Sequence, residues 1–175
     1  EVICFDIGWF GSESVKKLIA NKSFQYFEGD LRNLKLLQSA SSNSDVFIHL
    51  ACISNDPSFD LDPNLGKQIN YDSFNDILNI VNKNKIKRFI YASSSSVYGV
   101  KTEKKVTEDL SLNPLTDYSK FKAMCENELL NSNFSFEKVI LRPATVCGYS
   151  DRLRLDLVVN ILASQAYFKR KRSEE

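Results

Sequence analysis

Histidine is nearly missing from this chain: His49 is the only one in 175 residues. That excludes a histidine-rich metal site and leaves a Ser-His-Asp triad no other base. His49 itself lies inside the strand-like run Val46-Phe47-Ile48-His49-Leu50, where a core or strand-end imidazole is expected rather than a catalyst. Paired cysteines are missing as well. Cys4, Cys52, Cys125 and Cys147 form no C-x-x-C pair, and three of them fall in apolar segments, the pattern of reduced, buried thiols in a cytosolic protein; no metal is expected. No apolar run approaches the roughly 20 residues that span a bilayer, and the N-terminal residues carry no signal-peptide pattern, so a cytoplasmic location without membrane contact is expected. A net charge of +1 gives no electrostatic reason to expect nucleic acid or an acidic membrane as partner. Internal repeats and low-complexity segments are absent too.

What the chain does contain is ordinary globular material, 43% hydrophobic and 26% charged, enough for one domain with a sizeable core. Short apolar runs at 2–6, 24–27, 45–50, 87–92 and 134–141 read as buried strands. Between and after them, 13–20, 33–40, 63–84, 115–130 and 155–168 read as helices. The segment 63–84 is the longest, with Leu65, Ile69, Phe74, Ile77, Leu78 and Val81 at near-helical spacing. Residues 107–109 suit a turn in the polar connection 100–114. The basic tetrad Lys169-Arg170-Lys171-Arg172 reads as a solvated helix end. Alternating strands and helices mean βαβ units, hence an α/β domain with a parallel sheet and helices on both faces.

Two stretches carry chemistry. Tyr91-Ala92-Ser93-Ser94-Ser95-Ser96-Val97-Tyr98-Gly99 closes an apolar run with a cluster of hydroxyls, and Tyr118-Ser119-Lys120-Phe121-Lys122 is a Tyr-x-x-x-Lys. Residues four apart on a helix share a face, so the phenol of Tyr118 and the ammonium of Lys122 can enter one site. A free phenol, with a pKa of roughly 10, is a poor base at neutral pH. A fixed cation beside it favours the phenolate, and a serine hydroxyl hydrogen-bonded to the same oxygen or to a substrate would orient the reacting group. Ser94, Tyr118 and Lys122 are therefore a candidate proton-transfer constellation. A lone Tyr-x-x-x-Lys recurs by chance on many helices; its joining to the serine cluster some two dozen residues upstream is what makes the pattern specific.

The joined motifs resemble the extended short-chain dehydrogenase/reductases, specifically the NAD-dependent nucleotide-sugar epimerase/dehydratase family. There a Ser-Ser-x-x-Val-Tyr-Gly segment precedes a Tyr-x-x-x-Lys at this distance. The resemblance implies a Rossmann-like, doubly wound sheet, NAD as cofactor and a nucleotide-sugar substrate. It also implies a homodimer through a four-helix contact, formed by the 63–84 and 115–130 helices if their outer faces are less polar than usual. Asp6, which from its place alone is an acid at an exposed strand end, would hydrogen-bond the adenosine ribose and repel a 2′-phosphate, favouring NAD over NADP. Asp30 and Leu31 would line the adenine, although an Asp capping the next helix fits Asp30 equally well. The backbone of Leu50, Ala51 and Cys52 would pass beside the diphosphate and nicotinamide, with Cys52 in place of a more usual small residue. Asn70 would support the active site, Ser93 would border the cofactor, and Lys122 would hold the nicotinamide ribose beside Tyr118. The loop 142–148 resembles one that meets nicotinamide and sugar, and the stretch 152–160 one that meets the nucleotide diphosphate. Substrate contacts fall on Ser95, Thr145, Arg154 and Asn160.

The chain also departs from that family. It has no G-x-G-x-x-G or G-x-x-G-x-x-G, the loop that lets backbone approach a pyrophosphate at a helix N-terminus, and Gly8 and Gly11 follow the acid-ended strand instead of preceding it. The first residue is Glu1, and the first strand resembles the family's second. The expectation is a partial NAD-binding domain over 1–175, lacking the glycine loop and a C-terminal substrate domain. Hexose dehydratases of the family carry acids where this chain has Ser95 and Ser96, which favours an epimerase. The expected function is an NAD-dependent nucleotide-sugar epimerase that oxidises a sugar hydroxyl to a transient ketone and reduces it again. The alternatives are a nucleotide-ketosugar reductase or dehydratase, a non-catalytic NAD-binding module, or an inert fragment.

Overall fold

The computed structural model describes residues 1–11, 13–54, 56–151, 153–154 and 157–169. In chain order it forms β1 (Val2–Asp6), α1 (Glu13–Ile19), β2 (Phe24–Glu28), α2 (Leu34–Ala40), β3 (Val46–His49), α3 (Asp56–Leu61), α4 (Pro63–Lys67), α5 (Phe74–Lys83), β4 (Arg88–Ala92), α6 (Asp117–Asn131), β5 (Glu137–Leu141) and α7 (Val158–Phe168). A π-helical turn over Gln68–Asp72 leads into α5, and a 3-10 turn over Ser95–Tyr98 follows β4. Arg152, Leu155 and Asp156 of the 152–160 stretch, and Arg170, Lys171 and Arg172 of the basic tetrad, lie outside the described residues.

Every strand pair is parallel. β1 pairs with β2 from Val2 opposite Phe24 to Asp6 opposite Glu28; β3, β4 and β5 form a second sheet in that order, with His49 opposite Tyr91 and Ala92 opposite Leu141. Alternating strands and helices predict a single sheet. The hydrogen bonding instead divides it in two, because among the described residues β1 and β3 do not pair with each other. Both sheets still share one core, since Phe5 of β1 and Phe47 of β3 pack against the same buried cluster.

That core follows from the period of α5. Phe74, Ile77, Leu78 and Val81 recur at i, i+3, i+4 and i+7, and all four are at most 1% exposed. Each such burial stabilises by roughly 1.5–3 kcal/mol. They meet Phe89 and Tyr91 of β4 and Cys125 and Leu129 of α6. His49 is enclosed by the rings of Phe47, Phe74, Phe89 and Tyr91 at centroid distances of 5.8 to 6.4 Å. Burial, with the Lys122 charge adding to it, pushes its pKa down to about 3, so the imidazole stays neutral at physiological pH.

Three expectations change in detail. The helix read over 63–84 is broken, because the side chain of Asn70 turns aside to bond Ile53, Ser73 Oγ donates to the carbonyl of Ile69, and the N–H of Ser73 reaches back five residues to Gln68. Of the four free cysteines only Cys125 is buried, and burial pushes its thiol up to about 12; Cys147 is exposed. The exposed residues of α5 are Asn75, Asp76, Asn79, Asn82 and Lys83, all polar, whereas α6 presents Met124 and Leu130 outward. Among the described residues no helix is long and apolar enough to cross a membrane.

Candidate active site

β4 delivers the serine segment to the C-terminal edge of its sheet. Its ladder against β5 continues past Ala92: Ser93 N–H donates to the carbonyl of Leu141 at 2.8 Å and Ser95 N–H to that of Pro143 at 3.0 Å. Ser94 then caps the 3-10 turn, its Oγ accepting from Ser96 N at 3.2 Å and from Ser96 Oγ at 2.9 Å. Gly99 closes the turn at φ +67°, and a Cβ there would stand 2.0 Å from the carbonyl oxygen of Asn113, so both backbone and space demand glycine.

α6 begins at a capping box in which the Thr116 side chain accepts from Ser119 N–H and Ser119 Oγ accepts from Thr116 N–H. This fixes the first turn, and Tyr118 and Lys122 then fall on one face. Lys122 is 3% exposed; its Nζ donates to the carbonyl of Ala92 at 2.6 Å and lies 4.9 Å from the Tyr91 ring centroid and 5.8 Å from that of Tyr118. The two motifs therefore meet at the end of β4, with the ammonium two residues before Ser94. Tyr118 is half-buried and packs against the cluster of Ile53, Phe59 and Ile69.

A second feature lies where the strands on either side of the sheet division end. Asp6, Gly29, Asp30, Leu31, Ala51, Cys52 and Ile53, with Trp9 and Phe10, line a cavity of about 130 Å³. The chain runs outward from β1 to β2, then crosses back to β3 and runs the other way, so this is a topological switch point, where α/β sheets bind ligands. Asp6 Oδ1 accepts from Gly8 N–H at 2.7 Å. Asp30 is held by Arg32 through its backbone N–H and guanidinium, and those hydrogen bonds keep its carboxyl below the usual range. The cap of α2 is Asn33, not Asp30. Asn70 lies behind the wall, 4% exposed, accepting from Ile53 N–H at 2.8 Å and donating to its carbonyl at 3.0 Å. Leu50 is 66% exposed and does not line the cavity.

The predicted substrate residues lie on separate segments. Ser95 borders an open groove of about 720 Å³ with Tyr98, Arg142 and Ala144; Thr145, next to Ala144, is exposed and outside that lining. Arg154 and Asn160 gather elsewhere, Arg154 Nη1 at 3.5 Å from Ser54 Oγ and Asn160 Nδ2 donating to the Arg154 carbonyl at 2.8 Å. The sequence reading also misses a side-chain network, Glu126 with Arg142 and Tyr98. Its one signal is a glutamate four residues after Lys122, on the face of α6 that turns inward.

Residues 9–170 match the profile of the NAD dependent epimerase/dehydratase family. An uncharacterized UDP-glucose epimerase of Bacillus subtilis is 32% identical over 161 residues, 87% of this chain and 48% of that protein. The D-erythronate dehydrogenase of Haemophilus influenzae is 31% identical over 112 residues, 61% of this chain and 35% of that one. The chain thus spans half or less of the length of these relatives. Among solved structures, the UDP-glucuronic acid 4-epimerase from Bacillus cereus in complex with UDP-glucuronic acid and NAD superposes with a TM-score of 0.80 at 28% identity, over 95% of this chain and 55% of that one.

Proposed function

The chain belongs to the NAD dependent epimerase/dehydratase family, and from that premise we propose that it carries the cofactor half and the proton-transfer group of an NAD-dependent nucleotide-sugar epimerase. The observation that carries this reading is the placement of Lys122, buried, anchored on Ala92 and lying beside the Tyr118 ring. The residues of the cavity fit the adenosine end of NAD: its lining is largely apolar, Asp6 lines it from the end of β1, and it occupies the switch point. When bound, NAD supplies an acceptor and donor of hydride. The Asp6 carboxylate suits a ribose diol and opposes a 2′-phosphate, and Leu31 and Ile53 offer apolar surface to the base.

Tyr118 accepts the proton of a sugar hydroxyl, Lys122 stabilises the charge on its oxygen, and Ser94 donates a hydrogen bond to the sugar oxygen and orients it. The substrate class follows the relatives, a UDP-sugar. Pairing of two copies would use α6, whose outer face offers Met124 and Leu130, more than the polar α5.

Titration of NAD⁺ into the chain, with NADP⁺ as control, tests the cofactor half by heat released and by thermal melting. Saturable binding that prefers NAD⁺ is expected, and equal or absent binding of the two would overturn it. A second reading is a net dehydrogenase, favoured by the likeness to D-erythronate dehydrogenase. An epimerase returns the hydride and leaves no reduced cofactor at completion, whereas a dehydrogenase accumulates it one for one with product.

A further inference from the structure

Arg142, the residue after β5, holds three separate segments. Its Nη2 and Nε donate to the Glu126 carboxylate at 2.6 and 3.1 Å, its Nη1 donates to the Tyr98 hydroxyl at 2.9 Å and to the Glu108 carbonyl at 3.3 Å, and the guanidinium carbon lies 5.0 Å from the Tyr98 ring centroid. The Glu126 side chain is 2% exposed and that of Arg142 16%. Every other ion pair among the described residues joins side chains at least 29% exposed.

A buried ion pair gives little or no net stability over an apolar pair of the same volume; its best-attested use is to fix register. The geometry here suits that use. Tyr98 ends the 3-10 turn that Ser94 begins, and Glu126 stands one helical turn beyond Lys122. The neighbours of Arg142 grip the serine segment directly, since the carbonyls of Leu141 and Pro143 accept from Ser93 and Ser95 N–H. A planar, five-donor guanidinium can satisfy all these directions at once, which a lysine cannot.

We propose that Glu126, Arg142 and Tyr98 are positioning residues that fix the turn presenting Ser94 against the helix face presenting Tyr118 and Lys122. The inference rests on the proton-transfer role assigned to those three. It deepens that role by naming what sets their mutual register.

The test is amide hydrogen exchange, read residue by residue by NMR on the full chain, for wild type, Tyr98→Phe and Arg142→Lys. The N–H of Ser95 bonds Pro143 and that of Gly99 bonds Ser96; both should exchange about tenfold faster in the variants, while Ile90 in β4 and Leu78 in α5 change less than about twofold. Equal acceleration at all four amides would mean a merely structural role, and unchanged exchange at Ser95 would mean no role; either overturns the proposal. Should Arg142→Lys fail to fold, Tyr98→Phe, which keeps the ring, decides alone. A second arm measures turnover with NAD⁺ and UDP-glucuronic acid as the probe. The variants should lose about 10- to 100-fold in kcat with KM held within about twofold, whereas a loss confined to KM would overturn the positioning role. Ser94→Ala is the control for the underlying chemistry. If it leaves turnover unchanged the proton-transfer reading fails, and the exchange data still decide whether the network holds the turn.

Discussion

Removing the amide of Asn70 should cost this fold more than any other single polar truncation at the cavity. Its side chain makes two opposed bonds to one residue, accepting from Ile53 N–H at 2.8 Å and donating to Ile53 C=O at 3.0 Å, and it is 4% exposed while Ile53 is 8% exposed. In Asn70→Ala both backbone groups lose their partner where water reaches poorly. A buried donor or acceptor left unsatisfied costs about 1–3 kcal/mol, so the pair amounts to about 2–6 kcal/mol. For a domain of this size about 1 kcal/mol moves Tm by about 2–4 °C, which gives a drop of about 4–24 °C. The wall formed by Ala51, Cys52 and Ile53 also loses its tether, so NAD⁺ affinity should fall along with stability. Thermal melting followed by circular dichroism, with NAD⁺ titration at a temperature where both proteins are folded, measures the two effects. A shift under about 2 °C would refute the reasoning, because it would mean that solvent already satisfies Ile53 or that the loop carries no share of the cooperative fold.

Other expectations follow from single residues. His49 is neutral in the fold and titrates at about 3, against 6.5 in the unfolded chain. As pH falls below 6.5 the unfolded state takes up a proton that the folded state refuses, and stability is lost by about 1.4 kcal/mol per pH unit, about 2 kcal/mol by pH 5; denaturant midpoints of wild type and His49→Gln should converge between pH 7 and 5, and parallel trends would refute this. Gly99→Ala forces a Cβ to within 2.0 Å of Asn113 O at φ +67° and should destabilise by about 2–5 kcal/mol in a melt, with no change meaning that the turn relaxes freely. Tyr118→Phe keeps the packing of the ring against Ile53 and Phe59 but removes the phenol oxygen, so turnover of a UDP-sugar should fall about 10²- to 10⁴-fold; retained turnover would exclude Tyr118 as the base. Asp6→Ala should weaken NAD⁺ binding and narrow its preference over NADP⁺, and an unchanged ratio of the two affinities would remove Asp6 from the ribose site.

The sequence by itself determined the local order of this protein. Val2–Asp6, Phe24–Glu28 and Arg88–Ala92 are short, mostly apolar runs whose length and composition suit buried strands, and the four-residue spacing of Tyr118 and Lys122 puts both on one helix face before any folding is considered. These features depend on neighbours within a few positions. The tertiary structure alone decided what depends on closure of the chain in space. The π turn at Gln68–Asp72 carries Asn70, whose side chain bonds Ile53, a partner 17 residues away in the chain. Arg154 comes within reach of Ser54, a hundred residues away in the chain, and Asn160 bonds the Arg154 carbonyl. Arg142 reads as the first residue of the 142–148 loop until folding brings Glu126 and Tyr98 to it, because a hydrogen bond is specified by the position of its partner, and no periodicity in the sequence encodes that position.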